Sequence, residues 1–170
     1  SKDPLRWRCG ASGACASYSR KLFEKYGPVN ARVVSEDWVY SFRAWVESGI
    51  ALVEEPLVQH RVHNDSIGFM HQNVHTMRDD AQRKKIRRRG VENSLGIAQE
   101  WLHAWQLSGK KNDVNILSGL KRLVKIRDME YRAYESTRVE ALKLAMLYFL
   151  HGGGLKIAAK IVVRNVLSLE

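Results

Sequence analysis

Two adjacent carboxylates, Glu36 and Asp37, open a short helical pattern that runs to Gly49. Ser35 is suited to cap the start of this helix and Gly49 to close it, so both carboxylates belong to the first turn. The partly positive end of a helix favours ionised carboxylates, and a carboxylate held there could accept a proton as a general base. Because acidic residues are also common in first turns without any function, the neighbouring residues must decide between the two interpretations.

A second candidate pair, Arg61 and His63, lies in L57-V-Q-H-R-V-H. The alternation predicts an extended segment with both side chains on one face, after a first strand at I50-A-L-V-E. Cationic groups placed together could stabilise a phosphate group. The alternative interpretations are a solvated strand residue for Arg61 and an ordinary loop histidine for His63.

The rest of the chain must provide the elements that position these residues. With 170 residues, 45% of them hydrophobic, it can build one ordinary domain or two small ones. No apolar run of about 18 residues occurs, and residues 1–8 lack the apolar centre of a signal peptide. We therefore expect a cytoplasmic protein, in which Cys9 and Cys15 are buried free thiols.

The net charge of +10 is distributed unevenly along the chain. Lys and Arg minus Asp and Glu gives 9 − 8 = +1 for residues 1–68 and 19 − 10 = +9 for residues 69–170. This change predicts a boundary near residue 69. The basic half indicates a polyanionic neighbour, which could be a membrane surface, a nucleic acid or a phosphorylated substrate.

The pattern beyond residue 69 is helical throughout. We expect a helix over residues 70–88 that is ended by Gly90, and a second helix over residues 91–108. A third should run from a cap at Asp113 to Tyr134, and a fourth from a capping box at Thr137 and Glu140 to His151. A fifth should cover residues 155–167. The last of these has a basic stripe beside an apolar face, which is typical of a membrane-surface helix and equally compatible with packing on its neighbours.

Three ordered blocks carry a family resemblance: G13-A-C-A-S-Y-S-R-K-L-F-E-K-Y-G, then S-E-D-W-V-Y-S-F-R-A, then G-I-A-L-V-E-E-P-L-V-Q-H-R-V-H-N-D-S. Together, over residues 9–68, they resemble the C-terminal part of the catalytic domain of family-2 glycosyltransferases, the inverting enzymes of GT-A fold. The resemblance implies that Asp37 is the general base that deprotonates the acceptor hydroxyl. Glu36 and Trp38 would shape the acceptor pocket, and Gly13 would line the floor beneath the sugars.

On the donor side, the resemblance implies that Arg61 and His63 contact the diphosphate, and that His63 is associated with its metal, Mg²⁺ or Mn²⁺. The nucleotide-binding half and the D-x-D metal motif of the family should precede these blocks, but no D-x-D occurs in the 170 residues. We therefore expect a C-terminal fragment that is inactive alone because its donor-binding half is absent.

The predicted fold class is α/β followed by all-α: an acceptor-side part of a GT-A type domain at residues 1–68 and a basic helical extension at residues 69–170. The full-length enzyme would transfer a sugar from a nucleotide-diphosphate sugar to a saccharide acceptor, with inversion, in cell-surface polysaccharide or glycolipid synthesis. Its location would be cytoplasmic, peripheral at the inner face of the membrane, with residues 155–167 and the basic helices on anionic lipid.

Two alternatives stay open, and the sequence is compatible with an oligomer. The helical half could be a nucleic-acid-binding module built around R83-K-K-I-R-R-R, although no recognised nucleic-acid motif surrounds this run. It could also be a membrane or oligomerisation platform without catalysis. Only the transferase interpretation accounts for the three blocks of residues 9–68.

Overall fold

A computed structural model describes residues 11–47, 49–59, 79–110, 113–150 and 158–159 of the chain. The elements in these ranges are a short 3-10 helix and five α-helices. In chain order they are the 3-10 helix Gly13–Cys15, α1 Arg20–Tyr26, α2 Glu36–Glu47, α3 Asp80–Leu107, α4 Val114–Glu135 and α5 Arg138–Leu150.

The predicted fold class, an α/β segment of GT-A type followed by helices, is wrong, because every regular element of the described residues is helical. Residues 50–54, the first predicted strand, have no regular structure, and the side chain of Leu52 is 85% exposed. Residues 57–59, where the second predicted strand begins, are also irregular. A strand needs a neighbour for its backbone hydrogen bonds, and alternation in the sequence cannot supply one.

The first two helices follow the local pattern. Gly27 ends α1 with φ 68°, and Gly49 follows α2 with φ 95° and donates its N–H to the carbonyl of Ala44 at 2.9 Å. Positive φ is readily adopted only by glycine, which is why the chain turns at these two positions. The predicted end of α2 at Gly49 is confirmed.

Helix α3 is one continuous helix of 28 residues. The Asp79 carboxylate caps it by accepting from the backbone N–H groups of Ala81 and Gln82, at 2.9 and 3.1 Å. The prediction that a helix ends at Gly90 is wrong, because α3 continues through it. A glycine in a helix interior costs only about 1 kcal/mol, which the packing of a long helix exceeds.

The predicted starts of the next two helices are confirmed. Asp113 Oδ1 accepts from the N–H of Ile116 at 3.1 Å and caps α4. Thr137 and Glu140 form the capping box of α5, where the N–H of Glu140 donates to Thr137 Oγ1 at 3.4 Å and the N–H of Thr137 donates to Glu140 Oε2 at 3.2 Å. Such local signals act within one turn and are therefore readable from sequence.

Two apolar clusters hold the helices together. The first lies between α1, α2, α3 and α4, and its centre is the stacked pair Phe42 and Trp101, whose ring centroids are 5.0 Å apart. The second joins α4 to α5 and includes Ala158. Because residues from both sides of position 68 share the first cluster, α1 and α2 depend on α3 for burial. The predicted boundary itself lies outside the described residues.

Two further expectations concern the surface. None of the helices that the structure describes is long and apolar enough to cross a bilayer. Cys15 is an exposed free thiol rather than a buried one, because the 3-10 helix that carries it buries none of its residues. Cys9 lies outside the described residues.

Candidate functional site

One side chain of α3 determines where α2 begins. Asn93 Oδ1 accepts hydrogen bonds from the backbone N–H groups of Val34 and Ser35, at 2.7 and 3.1 Å. Asn93 Nδ2 donates to the hydroxyl oxygen of Ser35 at 3.2 Å. Ser35, the predicted N-cap, thus uses its side chain to join the two helices. The first turn of α2 is held in place by a residue far away in sequence.

Further along α3, Gly96 and Glu100 hold the segment that leads to α2. A Cβ on Gly96 would lie 2.9 Å from Val33 Cγ2, so only glycine leaves room for this segment. Glu100 Oε1 accepts from the N–H of Asn30 at 2.9 Å. Asn93, Gly96 and Glu100 share one helix face by spacing. The sequence interpretation missed these three residues, which the sequence indicates by a polar stripe between apolar positions.

The structure brings Gly13 to the two candidate carboxylates. A Cβ on Gly13 would lie 3.4 Å from Asp37 Cβ and 3.6 Å from Glu36 Oε1. The segment is attached to α2 by the N–H of Ala11, which donates to Ser41 Oγ at 3.0 Å. Three residues predicted for the acceptor side therefore lie together, and the missing side chain of Gly13 leaves space next to the carboxylates.

The carboxylates of Glu36 and Asp37 form few interactions with the rest of the described residues. Asp37 Oδ1 accepts from the N–H of Trp38 at 2.9 Å, and among the described residues neither Glu36 nor Asp37 forms an ion pair. Asp37 is half-buried and Glu36 is exposed. An acid without a cationic partner among the described residues is available to bind a ligand hydroxyl.

Trp38 lies beside these acids with 36% of its surface exposed. Its backbone carbonyl accepts from Trp101 Nε1 at 3.2 Å, which connects the first turn of α2 to the aromatic core. An indole with a fixed backbone and an open surface can stack on the apolar face of a sugar ring. The predicted position of Trp38 beside Asp37 follows directly from their adjacency in sequence.

Arg61 and His63 lie outside the described residues, so their predicted role in diphosphate and metal binding stays a prediction. Within the ranges that the structure covers, no group of three or more His, Cys, Asp or Glu side chains could hold a metal ion. The predicted Mg²⁺ or Mn²⁺ therefore has no ligand set among those residues.

The opposite side of α2 contains a buried arginine that the sequence interpretation missed. Arg43 is completely buried and donates from Nη1 to the carbonyl of Gly27 at 2.9 Å and from Nη2 to Glu100 Oε2 at 2.8 Å. Its guanidinium lies over the rings of Tyr26 and Tyr40, 5.3 and 5.6 Å from their centroids. These contacts join α1, α2 and α3, so Arg43 is structural.

At the C-terminal end of α2, the Glu47 carboxylate accepts from Lys25 Nζ at 2.6 Å and from the hydroxyl of Tyr26. Burial acts to raise the pKa of Glu47, but the hydrogen bonds from Lys25 and Tyr26 and the charges of Lys25 and Lys110 together hold it below its usual value. Burial and the bond to Glu47 raise the pKa of Tyr26 well above its usual value. Both hydrogen bonds go to Oε1 of Glu47, which therefore joins the end of α2 to α1.

Comparison with protein-family models, curated proteins and solved structures finds no match to this chain. A function for the chain is therefore inferred from its residues and their geometry.

Proposed function

We propose that this chain carries the acceptor side of a glycosyltransferase, which moves a sugar from a nucleotide-diphosphate sugar to an acceptor hydroxyl with inversion. The observation that supports this most is the position of Gly13 against Glu36 and Asp37. Two carboxylates without ion pairs to described residues, a glycine that leaves space beside them and a partly exposed Trp38 form a surface suited to a hydroxylated ring.

In the proposed reaction, the Asp37 carboxylate accepts the proton of the acceptor hydroxyl as its oxygen attacks the anomeric carbon. The new glycosidic bond forms on the face opposite the leaving group, which inverts the configuration. The nucleoside diphosphate departs with the electron pair of the broken bond. Glu36 accepts a hydrogen bond from a second acceptor hydroxyl, and Trp38 stacks on the ring. The proton transfer at Asp37 requires no metal ligand from the described residues.

Arg61 and His63 are assigned to the donor diphosphate, where cationic groups would stabilise the developing charge. Mg²⁺ or Mn²⁺ would supply Lewis-acid stabilisation of the same diphosphate. Nucleotide binding would be carried out by residues of the full-length enzyme outside these 170. The acceptor would be a growing glycan or lipid-linked saccharide at the cytoplasmic face of the membrane. None of these assignments requires a strand within residues 50–59.

The test is Asp37→Asn in the full-length enzyme. Asparagine keeps the size and can accept a hydrogen bond, but it cannot take a proton. The loss of a positioned general base lowers kcat by about 10² to 10⁴, or roughly 3 to 5.5 kcal/mol of barrier. The loss of a first-turn carboxylate costs only about 0.3 to 1 kcal/mol of stability. Turnover and urea unfolding should therefore separate the catalytic role from the structural one.

The matched control is Glu36→Gln, which removes the adjacent, more exposed carboxylate and should have a milder effect on kcat. If Asp37→Asn retains more than about a tenth of the wild-type kcat, Asp37 is excluded as the base, because a loss of less than about tenfold is smaller than the smallest effect of a general base. Glu36 would then be the next candidate.

A further inference from the structure

Helix α5 is apolar on nearly every face. Its only charged residues are Arg138, Glu140 and Lys143, and residues 144–150 contain none. One face, with Ala141, Ala145 and Tyr148, is buried against α4. Large apolar side chains nevertheless remain exposed on the other faces: Val139, Leu142, Met146, Leu147, Phe149 and Leu150. A helix of this composition is normally covered on all sides.

Most of these exposed side chains border one groove rather than lying at scattered positions. Leu142, Met146 and Phe149 line an open groove of about 730 Å³, together with Lys143 and Ala159. Met146 is 64% exposed and Leu150, at the end of the helix, is 66% exposed. A contiguous apolar surface with a charge at its border is typical of an interaction site.

A basic surface lies at the same end of the helical assembly. The hydroxyl of Tyr134, in the last turn of α4, donates to the carbonyl of Lys84 in α3 at 2.8 Å. The start of α3 is therefore adjacent to the end of α4 from which α5 departs. The start of α3 carries a mostly exposed run of six cationic residues: Arg83, Lys84, Lys85, Arg87, Arg88 and Arg89.

We propose that the exposed face of α5 inserts into the headgroup region of an anionic phospholipid bilayer. The apolar side chains enter the boundary between headgroups and acyl chains, and the cationic run of α3 contacts the lipid phosphates. This surface lies mainly on α5, and the membrane helix predicted at residues 155–167, most of which lies outside the described residues, borders it through Ala159. It is independent of the transferase proposal, because lipid binding is measured without turnover.

Charge complementarity favours lipid over two other occupants. A second copy of the chain would bring Lys143 and the cationic run of one molecule against those of the other, and like charges repel. A nucleic acid would satisfy the cationic run but leave the apolar face of α5 in water. An anionic bilayer covers the apolar face and also places lipid phosphates against Lys85, Arg87 and Arg89.

The experiment is co-sedimentation of the 170-residue chain with vesicles of phosphatidylglycerol and phosphatidylcholine, compared with vesicles of phosphatidylcholine alone. We expect stronger binding to the anionic vesicles and weaker binding at high salt. The variant M146S/F149S removes apolar surface without changing charge, and K85Q/R87Q/R89Q removes charge without changing the apolar face. Each should weaken binding to anionic vesicles by at least about tenfold, since both attractions contribute.

The matched control is Val114→Ser, because Val114 is 70% exposed at the start of α4, away from α5. It should bind vesicles like the wild type, and circular dichroism should show equal helix content in all variants. Equal binding to both vesicle types, or full binding by M146S/F149S, would overturn the proposal. So would a dimer in sedimentation velocity that M146S/F149S abolishes while no vesicles are bound, or binding to duplex DNA alone.

Discussion

The two ends of helix α2 carry carboxylates in opposite situations. At its start, Glu36 and Asp37 have no ion pair with any described residue, and the Asp37 carboxylate accepts one backbone N–H. At its end, Glu47 is engaged by Lys25 and Tyr26. The same residue type therefore has different roles at the two ends of one element.

The difference separates carboxylates that hold the fold together from those that are available to a ligand. Glu100, in α3, faces the buried side of α2, and its two oxygens accept hydrogen bonds from Arg43 and from the N–H of Asn30; its side chain is 12% exposed. Such a group lowers the free energy of the fold and has little capacity left for a ligand. Asp37 contributes little to the fold, and this leaves it available for a hydroxyl group.

The largest effect on stability is expected for Glu100→Gln. The amide can still accept from Asn30, but Arg43 then keeps a buried charge without its counter-charge. Breaking a buried ion pair in this way costs about 3 to 5 kcal/mol, which urea unfolding would measure. The control is Glu24→Gln, whose partner Arg20 has a 90% exposed side chain. That exposed pair should contribute less than about 1 kcal/mol. Equal losses in the two variants would refute the assignment of Glu100 as a structural carboxylate.

A smaller effect, with a characteristic pH dependence, is expected for Glu47→Gln. Two hydrogen bonds lose their charge assistance, which should cost about 1 to 2 kcal/mol at neutral pH. Because the pKa of Glu47 is lowered in the folded state, its stabilisation is complete above the unfolded pKa and is lost as the pH falls through the folded pKa. The difference in unfolding free energy between wild type and variant should therefore shrink below about pH 4. A constant difference from pH 7 to pH 3 would contradict this.

The smallest effect on stability is expected where α3 packs against the segment that precedes the first turn of α2. Gly90 and Gly96 both lie inside α3, but only at Gly96 would a Cβ meet a neighbour, Val33 Cγ2 at 2.9 Å. Gly90→Ala should stabilise the protein by up to about 1 kcal/mol through helix propensity. Gly96→Ala should lose that gain because Val33 must move. If thermal unfolding shows equal stabilisation by both, the close contact does not position α2.

Much of the local structure could be predicted from the sequence. The caps at Asp113 and Thr137 and the glycine end at Gly49 were all predicted. The adjacency of Glu36, Asp37 and Trp38 also needed no tertiary information. These features depend on contacts within a few residues, where the hydrogen-bond partner lies in the next turn.

Contacts between distant residues were decided by the tertiary structure alone. The burial of Arg43 against Glu100, the attachment of Ser35 to Asn93 and the absence of strands at residues 50–59 all depend on which segments meet in space. The sequence determined that two carboxylates begin α2. Packing decided that these acids have no ion pairs with the described residues, whereas Glu47 and Glu100 do have partners. A partner far along the chain is selected by which groups are buried together and not by the local sequence pattern.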